Sequence, residues 1–106
     1  MISEQTIQQA VARLVAAANP SKVILFGSYA RGDATEDSDL DLMVIERELP
    51  NKFDEMVRLR IEVGDIPVGV DLLVYSDDEA SARSQVPGTV LYWAYKEGRV
   101  MYDSSL

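Results

Sequence analysis

Residues 22–45 read KVILFGSYARGDATEDSDLDLMVI, and this stretch decides the fold. It contains two short runs, Val23–Phe26, which is apolar throughout and ends at Gly27, and Leu40–Ile45, which is apolar except for Asp41. A continuous apolar run of this length that ends at a glycine is typical of a buried strand. The stretch therefore predicts two strands, with a turn or a short helix between them over Ser28–Asp37.

The rest of the chain alternates helical and extended patterns. Helices are predicted over residues 4–18, from Pro50-Asn51 to Gly64, from Asp77 onward and over 90–96, and further strands over 68–75 and 99–102. The order α-β-α-β-α-β-α-α-β predicts an α/β fold, in which helices pack on a small mixed β-sheet. We expect one domain over residues 1–106, because no linker or repeat divides the chain.

Two groups of apolar residues have more than one interpretation. The second long helix carries six apolar residues that we expect to pack against the sheet: Phe53, Met56, Val57, Leu59, Ile61 and Val63. Four aromatic residues crowd the C-terminal fifteen positions: Tyr92, Trp93, Tyr95 and Tyr102. Such residues are favoured at protein interfaces, but packing of the last helix on the sheet is the preferred interpretation.

The composition excludes several kinds of site. Ten Lys and Arg residues against 18 Asp and Glu residues give a net charge of −8, which argues against direct nucleic-acid binding. The chain has no cysteine and no histidine, which excludes disulfides, zinc sites and Ser-His or Cys-His catalysis. No apolar run is long enough to span a membrane and no signal-peptide pattern is present, so we expect a cytoplasmic protein that does not bind membranes.

Acidic residues are concentrated before and within the second strand. Five of them lie between residues 31 and 41: Asp33, Glu36, Asp37, Asp39 and Asp41. A spacing of two residues on a strand places Asp39 and Asp41 on the same face, with Cα atoms about 6.6 Å apart, where both can reach one or two divalent ions. The alternative is an Asp-rich turn that only solvates the strand entrance, and this is favoured for a lone Asp-x-Asp pattern.

Two further features favour the metal site. Asp71 interrupts the apolar run of the third strand, and a neighbouring strand about 4.8 Å away would bring it to the same site. The alternative for Asp71 is an edge-strand residue paired with an arginine. Gly27-Ser28 follows the first strand, where a glycine lets backbone N–H groups approach a phosphate closely, although alone it would be only a turn. Together these features indicate phosphoryl or nucleotidyl transfer that depends on Mg²⁺ or Mn²⁺.

The same residues resemble a known signature. Gly27-Ser28, ten further residues and then Asp39-Leu40-Asp41 resemble the pattern of the DNA polymerase beta-like nucleotidyltransferase superfamily. Asp71 lies where that superfamily keeps its third carboxylate. The small size and the Gly-Ser-x-Ala-Arg-Gly pattern resemble the minimal nucleotidyltransferase (MNT) domain, and the resemblance covers essentially the whole chain.

The resemblance implies a role for each carboxylate. Asp39 and Asp41 would hold two Mg²⁺ ions, or Mn²⁺ in their place, that bridge the triphosphate of ATP. Asp71 would complete the shell of the catalytic metal and help to deprotonate the attacking hydroxyl. Without histidine, that proton has to leave through metal activation, Asp71 or water.

The resemblance also implies roles for the loop that follows the first strand. Gly27 and Ser28 would bind the phosphates of the nucleotide. Arg31 matches a motif position and would neutralise triphosphate charge, but a salt bridge to the acidic loop is an equal alternative.

MNT-like proteins resemble antitoxins of HEPN ribonuclease toxins. This implies transfer of AMP from ATP to a tyrosine of a HEPN-type toxin, in a hetero-oligomer with that toxin. Two alternatives stay open: an antitoxin that acts by binding and occlusion only, and a small-molecule nucleotidyltransferase of the aminoglycoside-modifying kind. The residues themselves do not identify the acceptor.

Overall fold

The structure, a computed structural model, describes residues 1–106 and contains five helices and four strands. In chain order they are α1 (Glu4–Ala18), β1 (Lys22–Phe26), α2 (Ser28–Arg31), β2 (Leu40–Glu46), α3 (Lys52–Val63), β3 (Val70–Ser76), α4 (Asp77–Arg83), α5 (Val90–Glu97) and β4 (Arg99–Asp103). Every predicted helix and strand is present, with bounds shifted by two residues at most. None of the helices combines the length and the apolar character that crossing a bilayer requires.

The four strands form one mixed sheet in the order β3-β2-β1-β4. Strand β1 pairs antiparallel with β2 and with β4, whereas β2 pairs parallel with β3. A parallel pair needs a long crossover connection, and α3 supplies it. The predicted α/β fold with a small mixed sheet is therefore confirmed, and β3 and β4 are its edges.

Side-chain caps fix where the helices next to β3 begin. Asn51 Oδ1 accepts a hydrogen bond of 3.0 Å from the Asp54 N–H at the start of α3. At the start of α4, the Glu79 N–H donates to Ser76 Oγ at 3.1 Å, and the Ser76 N–H donates to Glu79 Oε1 at 3.2 Å. A cap of this kind stabilises a helix by about 1 kcal/mol. The capping box therefore turns the chain directly from β3 into α4.

The sheet has a hydrophobic core on each face. Successive strand residues point to opposite faces, so β2 contributes to both cores. Leu42 and Val44 pack with α1 and α3, whereas Met43 and Ile45 pack with α4 and α5. Asp41 is on the same face as Met43. It lies near the start of β2, where that face is not covered by the core. The two cores thus fix the position of the strand that carries the acidic residues.

Helix α3 does not bury all of its apolar residues. Leu59 and Val63 are fully buried, but Phe53 is 72% exposed, Ile61 is 71% exposed and Val57 is 46% exposed. The expectation that all six apolar residues pack against the sheet is therefore wrong for these three. The reason is geometric: the apolar residues cover more of the circumference of α3 than the sheet can contact.

The aromatic residues near the C-terminus also differ in how far they are buried. Trp93 is 50% exposed and Tyr95 is 39% exposed, because α5 packs on the sheet through Leu91 and Ala94. The last helix therefore packs on the sheet as predicted, but Trp93 and Tyr95 remain largely exposed. Tyr102 lies on β4 rather than on α5, and it packs against the core under α1.

Glu46, at the end of β2 far from Asp41, is a buried acidic residue. Burial, a hydrogen bond with Glu55 and the charge of Glu55 raise the pKa of Glu46 to about 8. The pKa of Glu55 is lowered, chiefly because Arg58 donates two hydrogen bonds of 2.8 Å to its carboxylate. At neutral pH Glu46 is therefore protonated and donates to the Glu55 carboxylate.

This pair makes stability depend on pH. The folded chain keeps a proton on Glu46 that the unfolded chain releases near pH 4.5, so the free energy of unfolding should fall as the pH rises from roughly 5 to 9. Glu46→Gln keeps a donor for Glu55 at every pH, and should raise the free energy of unfolding at pH 9 by about 2 kcal/mol. Urea unfolding at pH 6 and pH 9 measures this. The exposed neighbour Glu48→Gln is the control and should keep the wild-type pH dependence; an unchanged dependence in Glu46→Gln would contradict the assignment.

Candidate functional site

Asp41 and Asp71 lie side by side on neighbouring strands. The parallel register of β2 and β3 pairs Asp41 with Asp71, and both side chains are on the sheet face that also carries Leu73. Asp41 is half-buried and Asp71 is exposed. The strand pairing therefore brings together two of the three carboxylates predicted from the sequence.

The environment of Asp41 disfavours its ionised form. Burial raises the pKa of Asp41 to about 6, and so do a hydrogen bond with Asp71 and the negative charges of Asp71 and Asp39; the charge of Arg31 acts in the opposite direction. Two carboxylates can share a hydrogen bond only when a proton lies between them. Negative charge is thus crowded here beyond what the protein alone offsets.

Asp39 precedes β2 and lies beside the loop that leads into β3. The Leu40 N–H donates a hydrogen bond of 2.8 Å to the Gly69 carbonyl, which ties the two segments together. A Cβ atom on Gly69 would collide with Asp39 Oδ1. The absence of a side chain at position 69 therefore leaves room for the Asp39 carboxylate, whose negative charge is close enough to raise the pKa of Asp41. Gly69 was not identified from the sequence, although its position two residues before Asp71 was a usable signal.

Gly27 makes a similar close approach to Asp41. The register of β1 and β2 pairs Phe26 with Asp41, so the turn after β1 begins beside that carboxylate. Gly27 has φ 72°, which L-residues other than glycine rarely adopt, and a Cβ atom there would collide with Asp41 Oδ2. The pairing of a Gly-Ser turn with the carboxylates, predicted from the sequence, is thus present in the structure.

Ser28 begins α2, the short helix that follows this turn. Its carbonyl accepts hydrogen bonds of 3.0 Å from the Gly32 N–H and 3.1 Å from the Asp33 N–H. The Gly27 carbonyl accepts two more, both of 3.1 Å, from the N–H groups of Ala30 and Arg31. The main chain therefore holds the Gly-Ser turn in a fixed position next to Asp41.

Arg31 forms ion pairs at the surface. Its Nε donates to Asp33 Oδ2 at 3.3 Å, and its Nη1 lies 4.0 Å from Glu97 Oε2. The structure therefore contains the predicted salt bridge to the acidic loop. Exposed pairs of this kind contribute at most about 1 kcal/mol, so the guanidinium can exchange them for another anion. Its charge also lowers the pKa of Asp41, which places it within electrostatic reach of the site.

The five clustered acidic residues do not act as one group. Asp33, Glu36 and Asp37 are exposed on the loop between α2 and β2. This loop is closed by Ser38, whose Oγ accepts a hydrogen bond of 2.8 Å from the Thr35 N–H. Only the last two acidic residues of the cluster reach the site.

The donor set fits a hard divalent cation. Asp39, Asp41 and Asp71 offer only carboxylate oxygens, which Mg²⁺ and Mn²⁺ prefer. The three side chains are not arranged as a preformed set of ligands. Instead, burial, a hydrogen bond with Asp71 and the negative charges of Asp71 and Asp39 raise the pKa of Asp41 to about 6, and a cation at this position would offset those charges. The negative charge around Asp41 is therefore the observation that supports the fit of these residues to a divalent ion.

An apolar groove of about 660 Å³ adjoins the carboxylates. Asp41 and Asp71 lie at its boundary, and most of its lining is hydrophobic: Phe26, Phe53, Met56, Val57, Ile61, Val70, Leu72, Leu73 and Val90. The groove was not predicted from the sequence. The spacing of Phe53, Val57 and Ile61, four residues apart on a helix, was the available signal.

The family to which the chain belongs follows from a sequence comparison. Residues 7–105 match the profile of the family described as "Polymerase beta, Nucleotidyltransferase". The chain belongs to this family. It is therefore a nucleotidyltransferase, and its fold is the polymerase beta-like nucleotidyltransferase fold.

Individual proteins resemble this nucleotidyltransferase over most of its length. A Methanocaldococcus jannaschii protein, provisionally named a protein adenylyltransferase, is 32% identical over 87 residues, which are 76% of this chain and 77% of that protein. A crystal structure of a provisionally named nucleotidyltransferase from Sulfolobus solfataricus superposes with a TM-score of 0.65 at 21% identity, over 95% of this chain and 80% of that one. A crystal structure of a toxin-antitoxin with AMP-PNP superposes with a TM-score of 0.59 at 16% identity, over 92% and 73%.

The two glycines that flank α2 offer a matched test of the site. Both Gly27 and Gly32 have positive φ, but a Cβ atom meets Asp41 only at Gly27 and meets nothing at Gly32. We expect Gly32→Ala to lower the free energy of unfolding by about 1 kcal/mol, and Gly27→Ala to lower it by about 1 kcal/mol or more beyond that. In an Asp41→Ala background, the difference between the two costs should become smaller but not vanish, because Gly27, at φ 72° and ψ −155°, keeps a backbone conformation that essentially only glycine adopts, whereas Gly32 is in the αL region. Urea unfolding of the set measures both differences, and equal costs in the wild-type background would show that Gly27 and Asp41 are not in contact.

Proposed function

We propose that this nucleotidyltransferase is an antitoxin of the cytoplasm that transfers AMP from ATP to a tyrosine hydroxyl of a HEPN ribonuclease toxin. The observation that carries the proposal is the contact of Asp41 with Asp71 in the parallel register, beside the Gly-Ser turn. The protein-adenylyltransferase name of the M. jannaschii relative supports a protein acceptor. The toxin-antitoxin with AMP-PNP, which shares the fold, supports an antitoxin role.

Three carboxylates carry the metal-dependent part of the reaction. Asp39 and Asp41 would hold two Mg²⁺ ions, or Mn²⁺ in their place, with Asp71 as a further ligand of one of them. Such ions neutralise triphosphate charge and lower the pKa of an attacking hydroxyl. Binding of a divalent ion also offsets the crowded charge that raises the pKa of Asp41. This allows a protein of net charge −8 to accept a polyanionic substrate.

The chain's own groups bind the nucleotide and move one proton. Gly27 and Ser28 bind the phosphates at the turn after β1, and Arg31 exchanges its exposed pair with Asp33 for the triphosphate. The tyrosine oxygen forms a bond to the α-phosphorus, and the bond from that phosphorus to the β-phosphate oxygen breaks. Pyrophosphate leaves, and Asp71 accepts the hydroxyl proton, since the chain has no histidine to do so.

The acceptor is supplied by another protein in this proposal. The protein-adenylyltransferase name of the M. jannaschii relative supports an acceptor of this kind, and the acceptor itself is left to the experiment. A binding-only antitoxin and a small-molecule nucleotidyltransferase are therefore outcomes that the experiment distinguishes.

The test is intact-mass measurement of the protein encoded by the neighbouring gene, after incubation with this chain, ATP and Mg²⁺. We expect a mass gain of one AMP or a multiple of it. Asp39→Ala combined with Asp41→Ala should abolish the gain, a loss of activity of at least about a thousandfold, because the charge of the triphosphate is no longer offset. Its thermal midpoint without Mg²⁺ should equal or exceed that of the wild type, since repulsion among the carboxylates is relieved.

Glu36→Ala combined with Asp37→Ala is the matched control. It removes the same charge from exposed positions of the same loop, and should keep the activity. A double variant at Asp39 and Asp41 that still transfers AMP would exclude the proposed metal site. A stable complex without any mass gain would support the binding-only antitoxin, and neither complex nor gain would direct the search to small-molecule acceptors.

A further inference from the structure

The proposed chemistry assigns no role to the apolar groove beside Asp71. Phe53, Val57 and Ile61 form one exposed stripe along α3, which we call the α3 stripe. From the first to the last of these residues the stripe extends about 12 Å, at 1.5 Å per residue. Exposed apolar patches of this kind on small proteins commonly mark sites of protein interaction.

The groove follows an open edge of the sheet. Strand β3 pairs with β2 on one side and with no strand on the other, so its outer backbone groups are available to a partner. The first half of β3, from Val70 to Leu73, lines the groove together with the α3 stripe. A polypeptide segment in the groove can therefore contact apolar side chains and an unpaired strand at once.

The charges around the groove favour a basic partner. Its one cationic lining residue is Arg60, whose Nη1 donates a hydrogen bond of 3.1 Å to the Gly64 carbonyl. The other charged lining residues are Asp41 and Asp71, and the whole chain carries a net charge of −8. Lys or Arg side chains beside an apolar segment would complement this distribution and speed the encounter.

We infer that the groove formed by the α3 stripe and the edge of β3 binds the acceptor protein, through an apolar segment flanked by Lys or Arg that presents its hydroxyl to Asp71. This inference rests on the proposed function, and it names the surface that selects the acceptor. Asp71 is exposed on the edge strand, so a segment docked there reaches the proposed proton acceptor without any rearrangement of the core.

The test compares a groove variant with a surface-matched control. The groove variant is Phe53→Ser combined with Ile61→Ser, two residues whose exposure leaves the core unchanged. The control is Val86→Ser combined with Val100→Ser, which are 47% and 55% exposed and lie outside the groove. Each is incubated with Mg²⁺, an alkyne-labelled ATP analogue and lysate of the source cells, and with the neighbouring-gene protein.

We expect the groove variant to label the proteins that the wild type labels at least tenfold more slowly. A few large side chains carry most of the binding energy of an interface, and this variant truncates two of them. Its Kd for ATP, measured by calorimetry, should stay within about twofold of the wild type. The control should label like the wild type. Higher salt should slow labelling by the wild type, as expected for a basic partner.

Other outcomes would overturn the inference in distinguishable ways. Unchanged labelling by the groove variant would show that the acceptor binds elsewhere. A groove variant that loses its affinity for ATP would show that the nucleobase occupies the groove. A wild-type dimer that the groove variant dissociates, with labelling retained, would show that a second copy of the chain covers it. If the wild type labels no protein at all, the proposed function fails, and this inference fails with it.

Discussion

The contact between Asp41 and Asp71 depends on one strand pairing, the parallel register of β2 and β3. Two carboxylates at neighbouring positions repel each other, and burial of Asp41 adds a further cost. The apolar residues of the same two strands, such as Leu42 and Leu72, offset that cost because they are packed in the core under α1 and α3. A one-residue slip of the register would move these residues out of the core. The hydrophobic core thus holds the acidic residues together against their own repulsion.

Two glycines extend this arrangement from the strands to the loops. Gly27 lies against Asp41 and Gly69 lies against Asp39, and in each case a Cβ atom would occupy the space of a carboxylate oxygen. The backbone therefore approaches the acidic side chains from two directions. The close approach that would let backbone groups of the Gly-Ser turn reach a phosphate leaves no room for a side chain at position 27, and the same holds at position 69. The positions of the two carboxylates therefore depend on glycine at positions 27 and 69.

Most of the fold could be predicted from the sequence because its signals are local. The capping box at Ser76 and the glycine after β1 mark element ends without reference to the rest of the chain. The nearness of Asp41 and Asp71 could be predicted as well, since a carboxylate within an apolar strand is costly unless a partner or a ligand offsets its charge. The salt bridge of Arg31 to the acidic loop was one of two alternatives from the sequence, and the second partner, Glu97, could not be predicted, because a long exposed side chain has several anions within reach. Local sequence patterns thus predict where helices and strands begin and end. They do not predict which of several similar contacts an exposed side chain makes.

The exposure of Phe53 and Ile61 shows a different limit. Their spacing predicts an apolar helix face, but how much of that face is covered depends on the width of the sheet. Here β3 is the last strand, so no further strand lies beneath the outer side of α3. A fifth strand at this edge would cover the stripe and also enclose Asp71. The narrow sheet therefore leaves a carboxylate and an apolar groove open at the same edge, which joins the proposed chemistry to the surface proposed to select its acceptor.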